Sequence, residues 1–228
     1  MSNQQSKNLD RKKKILGIDE AGRGPVFGPM IVCGALIDES KLEQLPQIGV
    51  KDSKSIAPKK RIALSARIVE ILDGHILLEI SPREIDESVE KNELNILEAK
   101  KMAELIEKLR PDIAYVDSPQ ISTERYTRRI REGLSFKPRI IAENYAETKY
   151  PIVAAASILA KVRRDQIINR IREKYGDFGS GYPADEKTKK FLLHWYKKYK
   201  SFPEEVRKSW KTIRNIMRKA DSKQKTLF

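Results

Sequence analysis

Five short apolar runs, unevenly spaced along 228 residues, constrain this chain more than any other feature. They are Ile15–Glu20, Pro29–Asp38, His75–Ile80, Ile113–Asp117 and Arg139–Asn144. All are Val- and Ile-rich or end in polar turn residues, as strands do. Only residues 21–28 separate the first two, too few for a crossover, so these pair as a hairpin. The later runs alternate with helical periodicity, which favours parallel crossovers. Lys59–Leu72 places Ile62, Ala66, Val69 and Leu72 on one helical face, and Gly74 ends it. Ser81-Pro82 opens a short helix as N-cap and first residue. Glu93–Leu109 turns Leu94, Leu97, Leu105, Ile106 and Leu109 inward, and Pro111 stops it. Further helices are expected over Ser122–Leu134 and Ile152–Tyr175, with a loop over 40–58. A glycine-rich loop, 176–183, precedes Lys-rich helical segments carrying Trp195, Tyr196, Tyr199, Phe202 and Trp210. The expected architecture is α/β: a mixed sheet with helices, then a helical C-terminal region.

Charge narrows the class of partner. The formal net charge is +14. Residues 1–14 hold five basic side chains and one acidic, and residues 185–228 hold fourteen and five. The stretch between is nearly balanced, with 27 basic and 26 acidic. Basic ends on a neutral body fit a polyanion, nucleic acid first, although solubility or a charge-rich thermophilic surface gives a similar pattern. No apolar run approaches the ~18 residues of a membrane span. Met1–Lys14 lacks the apolar stretch of a secretory signal. One cysteine, Cys33, excludes an intrachain disulfide and makes a reducing, cytoplasmic setting the expectation. With two histidines beside it, a zinc-finger site fails on ligand count. No heptad seam is present, so a monomer is expected.

The acids at the strand ends carry the chemistry. Asp19 and Glu20 close the first run, and Asp117 closes the fourth. In a parallel α/β sheet the carboxyl ends of the strands gather along one edge, where ligands bind. Neighbouring first and fourth strands would bring Asp19 and Asp117 face to face. Glu143 and Glu147 follow the fifth strand and could reach the same place. Clustered carboxylates repel unless a cation sits among them, and hard divalent ions take carboxylate oxygens. Two such ions about 4 Å apart serve phosphodiester cleavage. Each aspartate taken alone also reads as a turn former or helix N-cap.

Other patterns fall away. Gly22-Arg23-Gly24 lacks the third glycine of a dinucleotide fingerprint, since Phe27 stands there and Pro25 interrupts. No phosphate loop of the GxxxxGK[ST] kind occurs. Ser157 and Lys161 are four apart, where an SxxK pair needs three. Cys33 reads as a buried core residue, and His75 and His194 as structural or exposed.

Five blocks in order resemble ribonuclease HII, the type 2 ribonuclease H family, in an archaeal-like form. They are Gly17-Ile18-Asp19-Glu20-Ala21-Gly22-Arg23-Gly24-Pro25; Asp52-Ser53-Lys54; Tyr115-Val116-Asp117-Ser118; Ala154-Ala155-Ala156-Ser157-Ile158-Leu159-Ala160-Lys161; and Gly179-Ser180-Gly181-Tyr182-Pro183. The resemblance runs from about residue 15 to about 215. It implies a ribonuclease-H-like five-stranded mixed sheet flanked by helices, with a C-terminal helical region. It implies endonucleolytic hydrolysis of RNA paired to DNA, and cutting 5′ of ribonucleotides embedded in duplex DNA, leaving 3′-hydroxyl and 5′-phosphate ends. Two ions, Mg²⁺ or Mn²⁺, would be held by four carboxylates, of which three carry over to Asp19, Glu20 and Asp117. Family members usually place an aspartate shortly before the proline that opens the long helix, and here Glu147 stands at that point, one methylene longer.

The same resemblance assigns sugar recognition to Gly22, Arg23, Gly24 and Tyr182. A protein tells RNA from DNA at one nucleotide through the 2′-hydroxyl, and glycines let the backbone approach it closely. Ser53, Lys54 and Lys161 are phosphate-contact candidates. Residues 1–14 would be a flexible basic arm, 15–175 the catalytic domain, 176–220 a helical substrate-binding region and 221–228 a tail. The aromatics of the 176–220 region read as helix packing more readily than as base stackers, because a paired substrate hides its base faces. Gln224-Lys225-Thr226-Leu227-Phe228 resembles a shortened sliding-clamp-binding tail, and reads equally as a disordered basic end. The rivals are a non-catalytic nucleic-acid-binding protein on this fold and a two-metal nuclease acting on DNA.

Overall fold

The computed structural model describes residues 12–50 and 56–222. β1 (Lys14–Ala21) is buried along nearly its whole length, and so is β2 (Met30–Asp38). Strands apolar on both faces need cover on both faces and neighbours on both edges. β3 (Gly74–Ile80), β4 (Ile113–Asp117) and β5 (Arg139–Glu143) complete one five-stranded sheet in the order β3-β2-β1-β4-β5. All five strands lie within one residue of their expected bounds. β4 runs parallel to β1, pairing Ile15 with Ile113 and Ile18 with Val116. β5 runs parallel to β4 and pairs Asp117 with Glu143. The short connection from β1 to its neighbour β2 makes that pair antiparallel, so the sheet is mixed.

The helices among the described residues are α1 (Gln44–Gln47), α2 (Pro58–Ile71), α3 (Pro82–Glu90), α4 (Leu94–Leu109), α5 (Thr123–Glu132), α6 (Ala146–Lys149), α7 (Pro151–Tyr175), α8 (Glu186–Tyr199) and α9 (Lys211–Ser222). The expected loop over 40–58 therefore holds the short α1. α3 starts on a full capping box. The Ser81 hydroxyl accepts from Glu84 N, and Glu84 Oε2 accepts from Ser81 N at 2.9 Å. Such a cap contributes about 1 kcal/mol.

Two helical faces differ from expectation. On α2 the buried residues are Leu64 and Ile68, continuing to Leu72, while Ile62 and Val69 stand 58% and 41% exposed. The helix carries two apolar stripes of similar spacing, and only the 64/68/72 stripe finds cover. On α4, Leu105 and Ile106 are buried as expected, but Ala99, Met102 and Ala103 fill the rest of that face, and Leu94, Leu97 and Leu109 are only partly covered. Glu98 is also fully buried there.

The chain divides into two compact groupings. The first comprises the described parts of 1–19, 33–77 and 99–159. Within it Gly17 lies against the start of α7, where a Cβ would stand 2.4 Å from the carbonyl carbon and oxygen of Ile152. Behind the contact the run Ala154-Ala155-Ala156 is buried and small. Cys33 is buried in this grouping, as expected of a core residue.

The second comprises 20–32, 78–98 and the described part of 160–228. Its core includes Val26, Phe27, Ile168, Phe178, Leu192, Val206 and Ile213. Phe27 stacks on Phe178 with ring centroids 4.2 Å apart. Backbone bonds tie the loop after β1 to distant segments: Val26 N to Gly181 O at 2.8 Å, Gly28 N to Glu205 O at 2.8 Å and Arg207 N to Val26 O at 2.9 Å. Trp195 packs on Tyr175, Phe191 and Tyr199, and Tyr196 on Phe202, so these aromatics serve helix packing.

Candidate active site

Parallel pairing of β1 with β4 brings the strand-end acids together. One carboxylate oxygen each from Asp19, Glu20 and Asp117 lies within 4.8 Å of the others. Asp19 is 5% exposed. Burial and the neighbouring Asp19 charge, with a smaller effect from Glu147, push the Asp117 carboxyl up to about 7. Asp117 Oδ1 also accepts from Ala146 N at 2.7 Å. That bond holds the start of α6, which follows Tyr145 in the left-handed region at φ 58°.

The pinned α6 delivers Glu147 to the site. Glu147 is 6% exposed, and its charge adds to the upward push on Asp117. Asp117 and Glu147 line a cleft of about 370 Å³ with Ser118, Asn144 and Tyr145. Glu143 turns elsewhere. It pairs with Lys149 and accepts from the Tyr150 hydroxyl at 2.8 Å, which holds its carboxyl below the usual range. The Asn144 amide bonds the carbonyls of Ser118 and Gln120 at 2.7 and 2.8 Å, fixing the loop after β4.

This donor set fits a hard divalent cation. Carboxylate oxygens converge, and one carboxyl is driven towards its neutral form by burial and by its acidic neighbours. In metal-free protein Asp117 titrates far above its ordinary 3.8, so folding takes up a proton there. The contribution of this group to stability therefore falls as pH rises from about 4 to about 7. Above that window millimolar Mg²⁺ or Mn²⁺ is expected to raise the melting temperature. Asp117→Asn should melt higher than wild type without metal and gain less from it. Scanning fluorimetry at pH 5 and pH 7.5, with and without the ion, reads both effects. A wild type indifferent to metal at both pH values would remove the cation from this cluster.

The second grouping holds the other expected residues. Gly22 adopts φ +89°, which side chains rarely do, and a Cβ there would meet Arg164 and the carbonyl of Pro29. Arg23 Nε pairs with Glu98 Oε1 at 2.8 Å, and its Nη2 donates to Asn95 Oδ1 at 2.8 Å. Tyr182 is 48% exposed, and a Cβ on Gly24 would lie 3.8 Å from its ring. The loop carrying Tyr182 is shaped by Asp185, which takes Ser180 N and Oγ, and by buried Thr188, which accepts from Gly181 N at 2.9 Å. Lys161 lies on α7 and is partly buried. Ser53 and Lys54 fall outside the described residues, as does the Gln224–Phe228 segment.

Three buried charges, Glu98, Arg164 and Arg207, had no place in the sequence pattern. Glu98 has one oxygen on Arg23, and burial pushes its carboxyl up to about 6. Its register with Met102 and Leu105 put a charge at an inward position, which was a usable signal. Arg207 is fully buried although it stands in a Lys-rich stretch that reads as surface.

The comparisons agree with this geometry. The family model for Ribonuclease HII matches residues 16–213. A Ribonuclease HII of Thermococcus sibiricus is 49% identical over 208 residues, covering 90% of this chain and 92% of the relative. The crystal structure of the ribonuclease H2 from Pyrococcus horikoshii superposes with TM-score 0.87 at 45% identity, covering 91% of this chain and 99% of that one. A structure of the PCNA:RNase HII complex from Archaeoglobus fulgidus gives TM-score 0.81 at 42% identity, covering 89% and 96%. With its mixed sheet, its strand-end acids and these likenesses along nearly the whole length, the chain belongs to the ribonuclease HII family of hydrolytic enzymes.

Proposed function

We propose that this enzyme hydrolyses the RNA strand of RNA/DNA hybrids and also cuts 5′ of single ribonucleotides embedded in duplex DNA, leaving 3′-hydroxyl and 5′-phosphate ends. The observation that carries the reading is the convergence of the Asp19, Glu20 and Asp117 carboxylates on one sheet edge, two residues ahead of the Gly22-Arg23-Gly24 turn. Asp19, Glu20, Asp117 and Glu147 would hold two divalent ions, Mg²⁺ or Mn²⁺. Bound there, the ions supply Lewis-acid activation of water and charge neutralisation at the phosphate.

The chain's own groups do the rest. Asp117, held by Ala146 N, keeps Glu147 in place. Carboxylate oxygens of the cluster accept hydrogen bonds from the attacking water and orient it. Water oxygen joins phosphorus, the bond to the 3′-oxygen breaks, and that oxygen leaves with a proton. The turn and Tyr182 hold the sugar that bears the 2′-hydroxyl, with Lys161, Ser53 and Lys54 as phosphate contacts. The basic 185–228 stretch draws in the duplex. The Gln224–Phe228 end is read as a sliding-clamp contact. The clamp complex of the Archaeoglobus relative supports that reading.

Three labelled duplexes test it: an RNA/DNA hybrid, DNA with one ribonucleotide, and all-DNA, each with Mg²⁺, Mn²⁺ or chelator. Metal-dependent cutting of the first two, sparing the third, is expected. Glu147→Gln should slow cutting by more than about 100-fold, whereas Glu147→Asp, which keeps the charge, should stay within about tenfold. Binding without cutting under both metals would replace the enzyme reading with that of a binding protein. Cutting of all-DNA duplex would overturn the assigned sugar recognition.

A further inference from the structure

Arg207 is the largest fully buried side chain among the described residues, while its basic neighbours Lys208 and Lys211 are exposed. Its Nε donates to Gly28 O at 3.0 Å, Nη1 to Arg23 O at 2.9 Å and Nη2 to Gly22 O at 2.6 Å. The Trp210 ring lies 5.1 Å from the guanidinium carbon, and its Nε1 donates to Gly24 O at 3.0 Å. The whole carbonyl edge of the Gly22-Arg23-Gly24 turn is thus held by two side chains 184 to 186 positions away. Those side chains are themselves anchored. Asp86 accepts from Lys208 N at 2.7 Å, Ser209 N at 3.0 Å and Ser209 Oγ at 2.6 Å.

A plain turn does not need a buried cation. Burial and the nearby Arg164 charge push the Arg207 guanidinium down to about 9, so holding it charged here costs free energy. What the charge does to the turn follows from peptide geometry. Among the described residues no cis bond is present, and in a trans peptide the C=O and N–H point in opposite directions. The Gly22 carbonyl shares its peptide with Arg23 N–H, and the Arg23 carbonyl shares its peptide with Gly24 N–H. The Gly24 carbonyl leads into Pro25, which has no N–H. Carbonyls fixed on Arg207 therefore aim two N–H groups away from it, and a cation at the oxygen end polarises those peptides into stronger donors. The Arg23 side chain, committed to Glu98 and Asn95, does not compete for that position.

We propose that Arg207, with Trp210, is a positioning residue for ribonucleotide recognition. It holds the turn so that the N–H groups of Arg23 and Gly24 form a preset donor pair for the sugar oxygens of the substrate. This rests on the ribonucleotide-directed function proposed above.

Trp210→Phe deletes one donor and keeps the ring, and Arg207→Lys keeps a charge but loses the three-pronged geometry. Duplex affinity is measured in chelator for DNA with one ribonucleotide and for all-DNA, and kcat and KM are measured with Mg²⁺. Trp210→Phe is expected to weaken ribonucleotide-containing duplex by about three- to tenfold and leave all-DNA affinity unchanged. Arg207→Lys should lower kcat/KM by about 30-fold or more and bring the affinity ratio of the two duplexes towards one. Circular dichroism and the metal-induced rise in melting temperature report whether each variant keeps its fold and its acid cluster. If Arg207→Lys does not fold, Trp210→Phe decides. Folded variants with the wild-type affinity ratio would refute the positioning role alone. A wild type with no preference for the ribonucleotide would refute the functional reading first, and the positioning role with it.

Discussion

Asp19→Asn is expected to lower hybrid cleavage by roughly 1000-fold or more while leaving duplex affinity within about threefold. Groups that merely support a metal ligand cost about 10–100-fold when lost, and removing a ligand should cost more. Asp19 is buried in the three-carboxylate cluster and is one of the two acids that bear on Asp117. Asparagine has the same shape, so the fold should survive. Losing one of three like charges should even raise the melting temperature of the metal-free protein. The distinguishing result is the pairing of lost cleavage with retained binding, read by single-turnover kinetics and by fluorescence anisotropy. Retained turnover would take Asp19 out of the site.

Gly17→Ala should be the most damaging small substitution for stability. The added methyl would lie 2.4 Å from the carbonyl carbon and oxygen of Ile152 and 2.6 Å from Val153 N. All three are backbone atoms at the head of a 25-residue helix, so no side chain can rotate aside. Overpacking typically costs about 1–3 kcal/mol, and an unyielding backbone places this case at about 3 kcal/mol or above. In a chain of this size that is a loss of roughly 6–12 °C in melting temperature. Gly74→Ala is the control, since its nearest neighbour would be a Leu109 methyl at 3.9 Å. It should change stability by less than about 1 kcal/mol. A Gly17→Ala protein that unfolds with the control would mean that the head of α7 retreats at little cost.

The sequence made the strands legible because a buried strand has few alternatives to a Val- and Ile-rich run closed by turn residues. It made Asp19, Glu20 and Asp117 legible because strand ends place carboxylates on one edge whatever the rest of the chain does. It misread most of α2 because two apolar stripes of similar spacing meet at Leu72 and only tertiary cover decides between them. Glu147 stood out through the family resemblance, and its contact with Asp117 depends on a left-handed residue, Tyr145, that composition does not announce. Arg207 was illegible for a different reason. A cation among lysines reads as surface, and its partners at Gly22, Arg23 and Gly28 lie at the far end of the chain.

The chain has two tryptophans, Trp195 and Trp210, and both belong to the second grouping. One sits in a nest of aromatic rings and the other donates its indole hydrogen to Gly24. Intrinsic emission is therefore a gauge with a fixed viewpoint. Through Trp210 it reports the surroundings of the glycine turn. An emission trace that shifts when a duplex is seated would follow substrate capture at that turn without any attached dye.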